Sequence, residues 1–350
     1  MKEEQKPMMT VRRFFLLLAS TALGVLLIAL LVRVSKIDLR LTLLQLRGAS
    51  PIAFARLVGL NGLLIYLSTL KWRSVDAALR RSADSIPSWG ESYAITSAGM
   101  ALGLILPVQL GMVAARTLGT HFHGRALTRG AAGTVFEQGF DFVAICLIAI
   151  GSAVTWFSNG EALTWVICAL AITALALLAA GQFIRLIRWL AAYAGKHPWA
   201  ARSRIGAALR SISEPRNSGL LSAGLARRLI VLSMLRFGVV ILMMGQTASA
   251  MRMNIPLWHL AAAAPFVFLA GILAITPGAL GVNELTASAA LKMFGTPLAV
   301  AAQWSLANRI LSTASYFIVA VCAGAFVGAR AAIASSNRSA AGKVIRRELD

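Results

Sequence analysis

The apolar positions along this chain fall in long runs. Residues 14–32 are nineteen in succession without a charge, preceded by Arg12-Arg13 and followed by Arg33. A helix that crosses a bilayer needs roughly 20 apolar residues. No small-x-small cleavage pattern precedes Arg33, and the run is long for the core of a signal peptide, so it reads as a membrane anchor. Similar runs follow at 57–70, 142–157, 162–184, 229–251 and 310–329. Two others are short and broken. Residues 93–106 contain Gly99-Met-Ala-Leu-Gly103 and stop at Pro107. Residues 257–275 run into Thr276-Pro-Gly-Ala-Leu-Gly281, with a second short helix-like stretch to Phe294. Short apolar segments interrupted by Gly and Pro read as re-entrant hairpins, which a membrane permits only where protein or a water-filled cavity covers the exposed backbone.

The two breaks resemble each other. Pro107-Val-Gln-Leu-Gly111-Met and Pro277-Gly-Ala-Leu-Gly281-Val share Pro-x-x-Leu-Gly followed by an apolar residue. Together with opposite expected entry sides, this predicts an inverted repeat, in which broken helices bring backbone dipoles and substrate to the bilayer midplane. The expected fold is an all-α polytopic membrane protein, with about six spanning helices and two re-entrant hairpins.

Composition agrees. Of 350 residues, 58% are hydrophobic and 13% charged, against about 25% charged in soluble domains, which argues against a soluble enzyme. The 34 Lys and Arg against 13 Asp and Glu give a net charge of +21. In a soluble protein that surplus would point to nucleic acid. In a membrane protein it marks the cytoplasmic loops. Six crossings with both termini cytoplasmic place 25 basic residues inside: four before the first span, four in 71–92, three in 116–129, nine in 185–228 and five after Ala329. Residues 33–50 then fall outside despite four basic residues, and Ile37, Leu41, Leu44 and Leu46 give them the pattern of an interfacial helix. Arg202, Arg204, Arg210 and Arg216, set among Trp199, Ile205 and Leu209, make 196–216 a basic amphipathic cytoplasmic helix suited to anionic lipid headgroups. Residues 1–330 read as one transmembrane domain and 331–350 as a short basic cytoplasmic tail.

Charges inside a bilayer cost on the order of 2.5–3.5 kcal/mol each, so each requires a reason. Glu137 and Asp141 lie one turn apart, and such a pair repels unless a cation, a proton or a basic partner intervenes. The choice is between a polar cavity or coupling-ion site and a structural pair, either neutralised by an arginine or lying on a longer cytoplasmic helix end. Glu284 falls just after the second break, where the helix dipole favours it. Arg309 lies roughly 16 Å into the last span if that helix starts near Leu298. Pairing Glu284 with Arg309 would leave the N–H groups of the broken helix free for an anionic headgroup. Arg116, after the first break, either meets a phosphate in the same way or snorkels to the interface. Arg56 and Arg236 read as snorkelling, and Lys71-Trp72-Arg73 as an interfacial anchor. His121-x-His123 has no acidic or Cys partner at ligand spacing, so no metal is expected, and no cofactor motif is present. Cys146, Cys168 and Cys322 all lie in apolar runs, as packing residues.

Four stretches carry a resemblance: Lys71-Trp72-Arg73, Leu106-Pro107…Gly111…Arg116, Glu137-Gln-Gly-Phe-Asp141, and Thr276-Pro277-Gly278-Ala-Leu-Gly281-Val-Asn283-Glu284 with Arg309 downstream. Over nearly its whole length the chain resembles the flippase-like transmembrane region of the lysylphosphatidylglycerol synthase family, a bacterial inner-membrane group that also occurs as stand-alone proteins. It departs from the family pattern at Met112, where an acid is usual, at Arg116, one position late, and at Gln138, where Arg is favoured. The resemblance implies movement between leaflets of an anionic, aminoacylated or polyprenyl-type lipid, with Arg116, Glu137, Asp141, Pro277, Gly278, Gly281, Asn283, Glu284 and Arg309 as the binding residues. The soluble aminoacyl-transferase domain of the full-length enzymes has no counterpart in the twenty residues 331–350, so the chain is expected not to be an enzyme. The expected partners are membrane lipids and a glycosyltransferase or other lipid-biosynthesis protein, not nucleic acid. The alternative function is a non-transporting scaffold for a lipid-modifying glycosyltransferase.

Overall fold

A computed structural model describes residues 8–79, 87–106, 108–123, 127–196 and 222–349. Among these residues there are helices and turns but no strand. The helices are α1 (Met8–Ser35), α2 (Leu39–Arg47), α3 (Pro51–Ala78), α4 (Trp89–Leu102), α5 (Val108–His121), α6 (Leu127–Phe157), α7 (Ala162–Lys196), α8 (Ala223–Ala250), α9 (Leu257–Leu273), α10 (Val282–Met293) and α11 (Leu298–Leu349). Six of them are long and apolar enough to cross a membrane: α1, α3, α6, α7, α8 and α11. These are the six spans expected from the apolar runs, and the chain is an all-α polytopic membrane protein.

Each span is longer than the run that announced it. α3 continues past Leu70 through Lys71 to Ala78, and α8 begins at Ala223, before the run at 229. The runs are bounded by charges, but a backbone inside a bilayer must keep its hydrogen bonds and stays helical past them. Side chains at the helix starts supply the missing acceptors. Asp38 takes the N–H groups of Arg40 and Leu41 at 2.8 and 3.1 Å, which starts the short helix α2. Ser50 and Ser222 cap α3 and α8 in the same manner. Residues 331–349, expected as a tail, continue α11 as helix. Pro107 and most of the 196–216 segment lie outside the described residues.

Both broken segments fold as hairpins, α4 against α5 and α9 against α10. They open toward opposite faces of the bundle. Ser50 donates its N–H to the carbonyl of Ala250, and Gln303 bonds Gln45 at 2.7 Å, so the starts of α3 and α11 and the end of α8 share the face from which the second hairpin departs. The first hairpin opens at the other face, where Arg73 donates to the Pro87 carbonyl at 2.7 Å and His123 stands 3.6 Å from Glu91. Their tips meet in the interior, where the Gly278 N–H donates to the Leu106 carbonyl at 3.0 Å.

The second tip depends on glycine at two positions. Gly278 and Gly281 adopt φ of +53° and +78°, the left-handed region where a Cβ is strained. A Cβ on Gly278 would stand 2.5 Å from the Leu104 carbonyl oxygen, and one on Gly281 would stand 2.5 Å from that of Gly24 in α1. Close backbone contact therefore holds this tip to the first hairpin on one side and to α1 on the other.

Around the tips the packing is that of a protein interior. Ala261, Ala262, Ala263 and Ala264 of α9 are all buried, small enough to bring this short helix close to Leu291 of α10 and Trp304 of α11. Leu57, Leu64 and Leu67 of α3 form a second core with Leu232, Val239 and Met243 of α8. Ser68, Thr69 and Ser233 return their hydroxyls to carbonyls one turn back, so they add no unsatisfied donor. Leu163, Leu170, Leu175 and Leu178 of α7 are exposed, as a lipid-facing helix requires.

Candidate functional site

The hairpin tips border a cavity of about 560 Å³, within the range of roughly 300–1,000 Å³ common for small-molecule sites. Its charged lining consists of Arg116 from α5, Glu137 and Asp141 from α6, Arg236 from α8, Glu284 from α10 and Arg309 from α11. On the helix rise, Arg236 stands about 20 Å from the start of α8 and Arg309 about 16 Å from the start of α11. Each is thus near the middle of a bilayer whose apolar core is about 30 Å thick.

The charges form two groups. In the first, Arg116 pairs with Glu137, and both are almost wholly buried. Arg116 also donates to the Ser68 carbonyl at 3.1 Å and lies over the Trp72 ring, 5.1 Å from its centroid. Asp141 is shared between two cations. Lys71 Nζ meets one carboxylate oxygen at 2.6 Å, and Arg236 pairs with the other. Lys71 is fully buried and also donates to the Glu137 backbone carbonyl at 3.0 Å. Glu137 and Asp141, which would repel alone, are therefore held on one helix face by three cations from three other helices.

The second group is a closed circuit at the second tip. Glu284 accepts the Gly281 N–H at 2.6 Å through one oxygen and Arg309 Nε at 2.6 Å through the other. Arg309 completes the loop by donating Nη2 to the Gly278 carbonyl at 2.8 Å. Carboxylate and guanidinium are both charged, so these bonds are of the stronger, charge-assisted kind. They tie the tip to the spanning helix α11.

Seven of the nine expected site residues line the cavity: Arg116, Glu137, Asp141, Gly278, Asn283, Glu284 and Arg309. The Asn283 side-chain oxygen is buried and has no partner among the described residues. Pro277 and Gly281 are not on the cavity wall. Pro277 opens the single 3₁₀ turn of the tip, and Gly281 makes the backbone bend before α10. The expected pairing of Glu284 with Arg309 is present. Two N–H groups at the break are occupied, that of Gly278 by the Leu106 carbonyl and that of Gly281 by Glu284.

Three other expectations change. Arg236 does not snorkel, because α8 starts at Ala223 and carries it too deep to reach the surface. Lys71 is no surface anchor, since α3 continues past it and turns it onto Asp141. Arg116 neither snorkels nor stands free at a rim; it is enclosed with Glu137. Lys71 and Arg116 therefore leave the set of 25 residues counted as loop charges. The acid near the paired histidines, missing from the local sequence, is Glu91, close to His123 in space. Among the described residues no group of three or more His, Cys, Asp or Glu side chains is placed to hold a metal ion.

No curated protein matches the chain. Residues 17–322, most of its length, match the family described as the lysylphosphatidylglycerol synthase TM region. That stretch contains every charged residue of the cavity, both hairpins, the apolar windows of the first five spans and the last span as far as Cys322, and the chain belongs to this family of multi-pass membrane domains.

Proposed function

We propose that this protein is a lipid translocator of the bacterial cytoplasmic membrane, with both termini in the cytoplasm. It carries the polar headgroup of an anionic, aminoacylated or polyprenyl-phosphate lipid between leaflets while the acyl or prenyl chains remain in the bilayer. The lipid is moved and not chemically altered, and the function requires no cofactor. One observation carries this reading: a charged cavity lies at mid-membrane between two hairpins that open to opposite faces. A headgroup crossing unaided must shed its water in hydrocarbon, at a cost of several kcal/mol for each unsatisfied polar group. Fixed ion pairs and hydrogen-bonding side chains replace that water. Two touching tips, each departing from its own face, resemble a pair of gates that open in alternation around a fixed site. A scaffold that recruits a glycosyltransferase makes no use of such a cavity.

The test uses purified protein in vesicles containing tail-labelled phosphatidylglycerol, with leaflet exchange followed by a membrane-impermeant quencher. Wild-type protein accelerates exchange, whereas E284Q and R309Q slow it at least tenfold. Thermal unfolding in detergent establishes that each variant is folded. Exchange at the wild-type rate in a folded double variant E284Q/R309Q would end the assignment of this pair. Absence of exchange in wild-type vesicles, with any of the three lipid classes as probe, would end the translocator reading.

A further inference from the structure

The charges around the cavity do not balance. Arg116, Arg309, Arg236 and Lys71 face Glu137, Glu284 and Asp141, four cations against three carboxylates. The surplus is localised. Arg116–Glu137 and Arg309–Glu284 are one-to-one pairs, while Asp141 alone serves two cations. Of those two, Lys71 has no surface open to the cavity and is fixed by the Asp141 carboxylate and the Glu137 carbonyl. Arg236 lines the cavity, keeps 19% of its side chain exposed there, and has a buried Nε–H with no partner among the described residues. A net charge enclosed at mid-membrane is costly unless something of opposite sign enters.

We propose that Arg236 is the anion-binding residue of the cavity, and that its ligand is a phosphate-bearing headgroup of net negative charge, not an aminoacylated headgroup of net positive charge. The inference rests on the translocator reading for the ligand's being a lipid, but not for the anion site itself. Arg236 can turn part of its guanidinium from Asp141 to a phosphate, because Lys71 remains to neutralise the carboxylate. The planar fork then offers two parallel N–H donors, the geometry that favours Arg over Lys for phosphate. Ser312 and Tyr316 of α11 face the same cavity and supply hydroxyls for the remaining oxygens. Lys71 acts as a positioning residue. It never touches the ligand, yet without it Asp141 would belong wholly to Arg236 and the surplus would vanish. A cationic aminoacyl headgroup adds its charge to the surplus and is disfavoured.

The experiment measures equilibrium binding of tail-labelled phosphatidylglycerol to full-length protein in detergent, with unlabelled phosphatidylglycerol, lysyl-phosphatidylglycerol and soluble glycerol 3-phosphate as competitors. Wild type is expected to prefer phosphatidylglycerol over lysyl-phosphatidylglycerol by at least tenfold. R236Q loses that binding by at least tenfold and R236K retains part of it. R236Q leaves the Lys71–Asp141 pair intact and strands no charge, so it is expected to fold, and its melting temperature checks this. K71M weakens phosphatidylglycerol binding and narrows or reverses the preference against the lysyl lipid, an effect that a purely structural role for Lys71 would not produce. Competition by unlabelled phosphatidylglycerol but not by glycerol 3-phosphate identifies a lipid headgroup as the source of the anion. Equal competition by glycerol 3-phosphate identifies a soluble phosphate ester. Either supports the site. A wild-type preference for the lysyl lipid, or unchanged binding in folded R236Q, would overturn it. Leaflet exchange is recorded on the same preparations. Arg236-dependent binding without any exchange would remove the translocator reading and leave the anion site standing. Exchange together with binding that folded R236Q leaves unchanged would do the reverse.

Discussion

The two hairpins share a sequence motif and meet tip to tip, but each is tethered by charge in its own way. The second supplies an anion, Glu284, and receives a cation from the spanning helix α11. The first supplies a cation, Arg116, and gives it to an anion on the spanning helix α6. Glu284 and Arg309 close a circuit that also includes the backbone of their own tip, with no charge left over. Glu137, by contrast, sits one turn from Asp141, and the network it begins spreads through Lys71 to Arg236. The second hairpin is thus a self-contained latch. The first borders an open network whose last cation has no carboxylate of its own, and a ligand has something to compete for only there.

The largest effect is expected where the network is broken at its shared carboxylate. D141N leaves Lys71 and Arg236 buried without a counter-charge, and removing one partner of a buried pair costs about 3–5 kcal/mol. Expression and thermal unfolding in detergent should both show the loss. The double variant D141N/K71M removes one of the stranded cations together with the carboxylate. It should regain a large part of the stability, although it carries more substitutions. Simple addition of two losses would show that Lys71 and Asp141 do not act as one unit.

A smaller effect is expected at the contact between the tips. G278A puts a side chain on a residue at φ +53°, where it would stand 2.5 Å from the Leu104 carbonyl. The left-handed conformation alone costs roughly 1–2 kcal/mol, and relief of the clash requires the tips to separate. Hydrogen exchange should then rise at Gly278's neighbours and in 103–106, while the remainder of α3 and α8 keeps its protection. Undisturbed exchange at the first tip would mean that the two hairpins are not coupled through this contact.

How much of this was legible in the sequence follows from what each signal measures. The six spans and two hairpins could be read directly, because a bilayer imposes length and apolarity on every crossing segment and Gly with Pro marks the breaks. Glu137, Asp141, Glu284 and Arg309 stood out for the same reason: each is a charge where a charge is costly. Lys71 was missed because it ends an apolar run, and the rule that ends a run at a charge assigns that charge to the surface; Arg236 lies inside the run at 229–251, but so near its start that it read as a span end. Helix length corrects the error, since α3 and α8 extend beyond their runs and carry both residues inward. That the Gly281 N–H is occupied by Glu284 was not legible at all. It depends on a side chain folding back over three residues, and spacing alone does not distinguish that from an open site.

The smallest effect separates the hairpins at their entrances. α4 begins with a capping box: Ser88 accepts the Glu91 N–H at 3.3 Å and the Glu91 carboxylate accepts the Ser88 N–H at 2.7 Å. At the start of α9, Pro256 makes no side-chain capping bond. S88A should therefore cost about 1 kcal/mol, while substitution of the Pro256 side chain removes no cap. The bonds from Ser88 hold the Glu91 carboxyl below its ordinary value, with the nearby His123 adding to this. A depressed carboxyl contributes stability that is present above its unfolded-state value and is lost as pH falls through the lower folded value. Acidification through that window should loosen the start of α4 in the wild type, detected as faster exchange at Ser88 to Ser92. E91Q, which has no carboxylate to protonate, should show no such change. The same loosening in E91Q would move its cause away from the cap, leaving only the chemistry of the tips to distinguish the two hairpins.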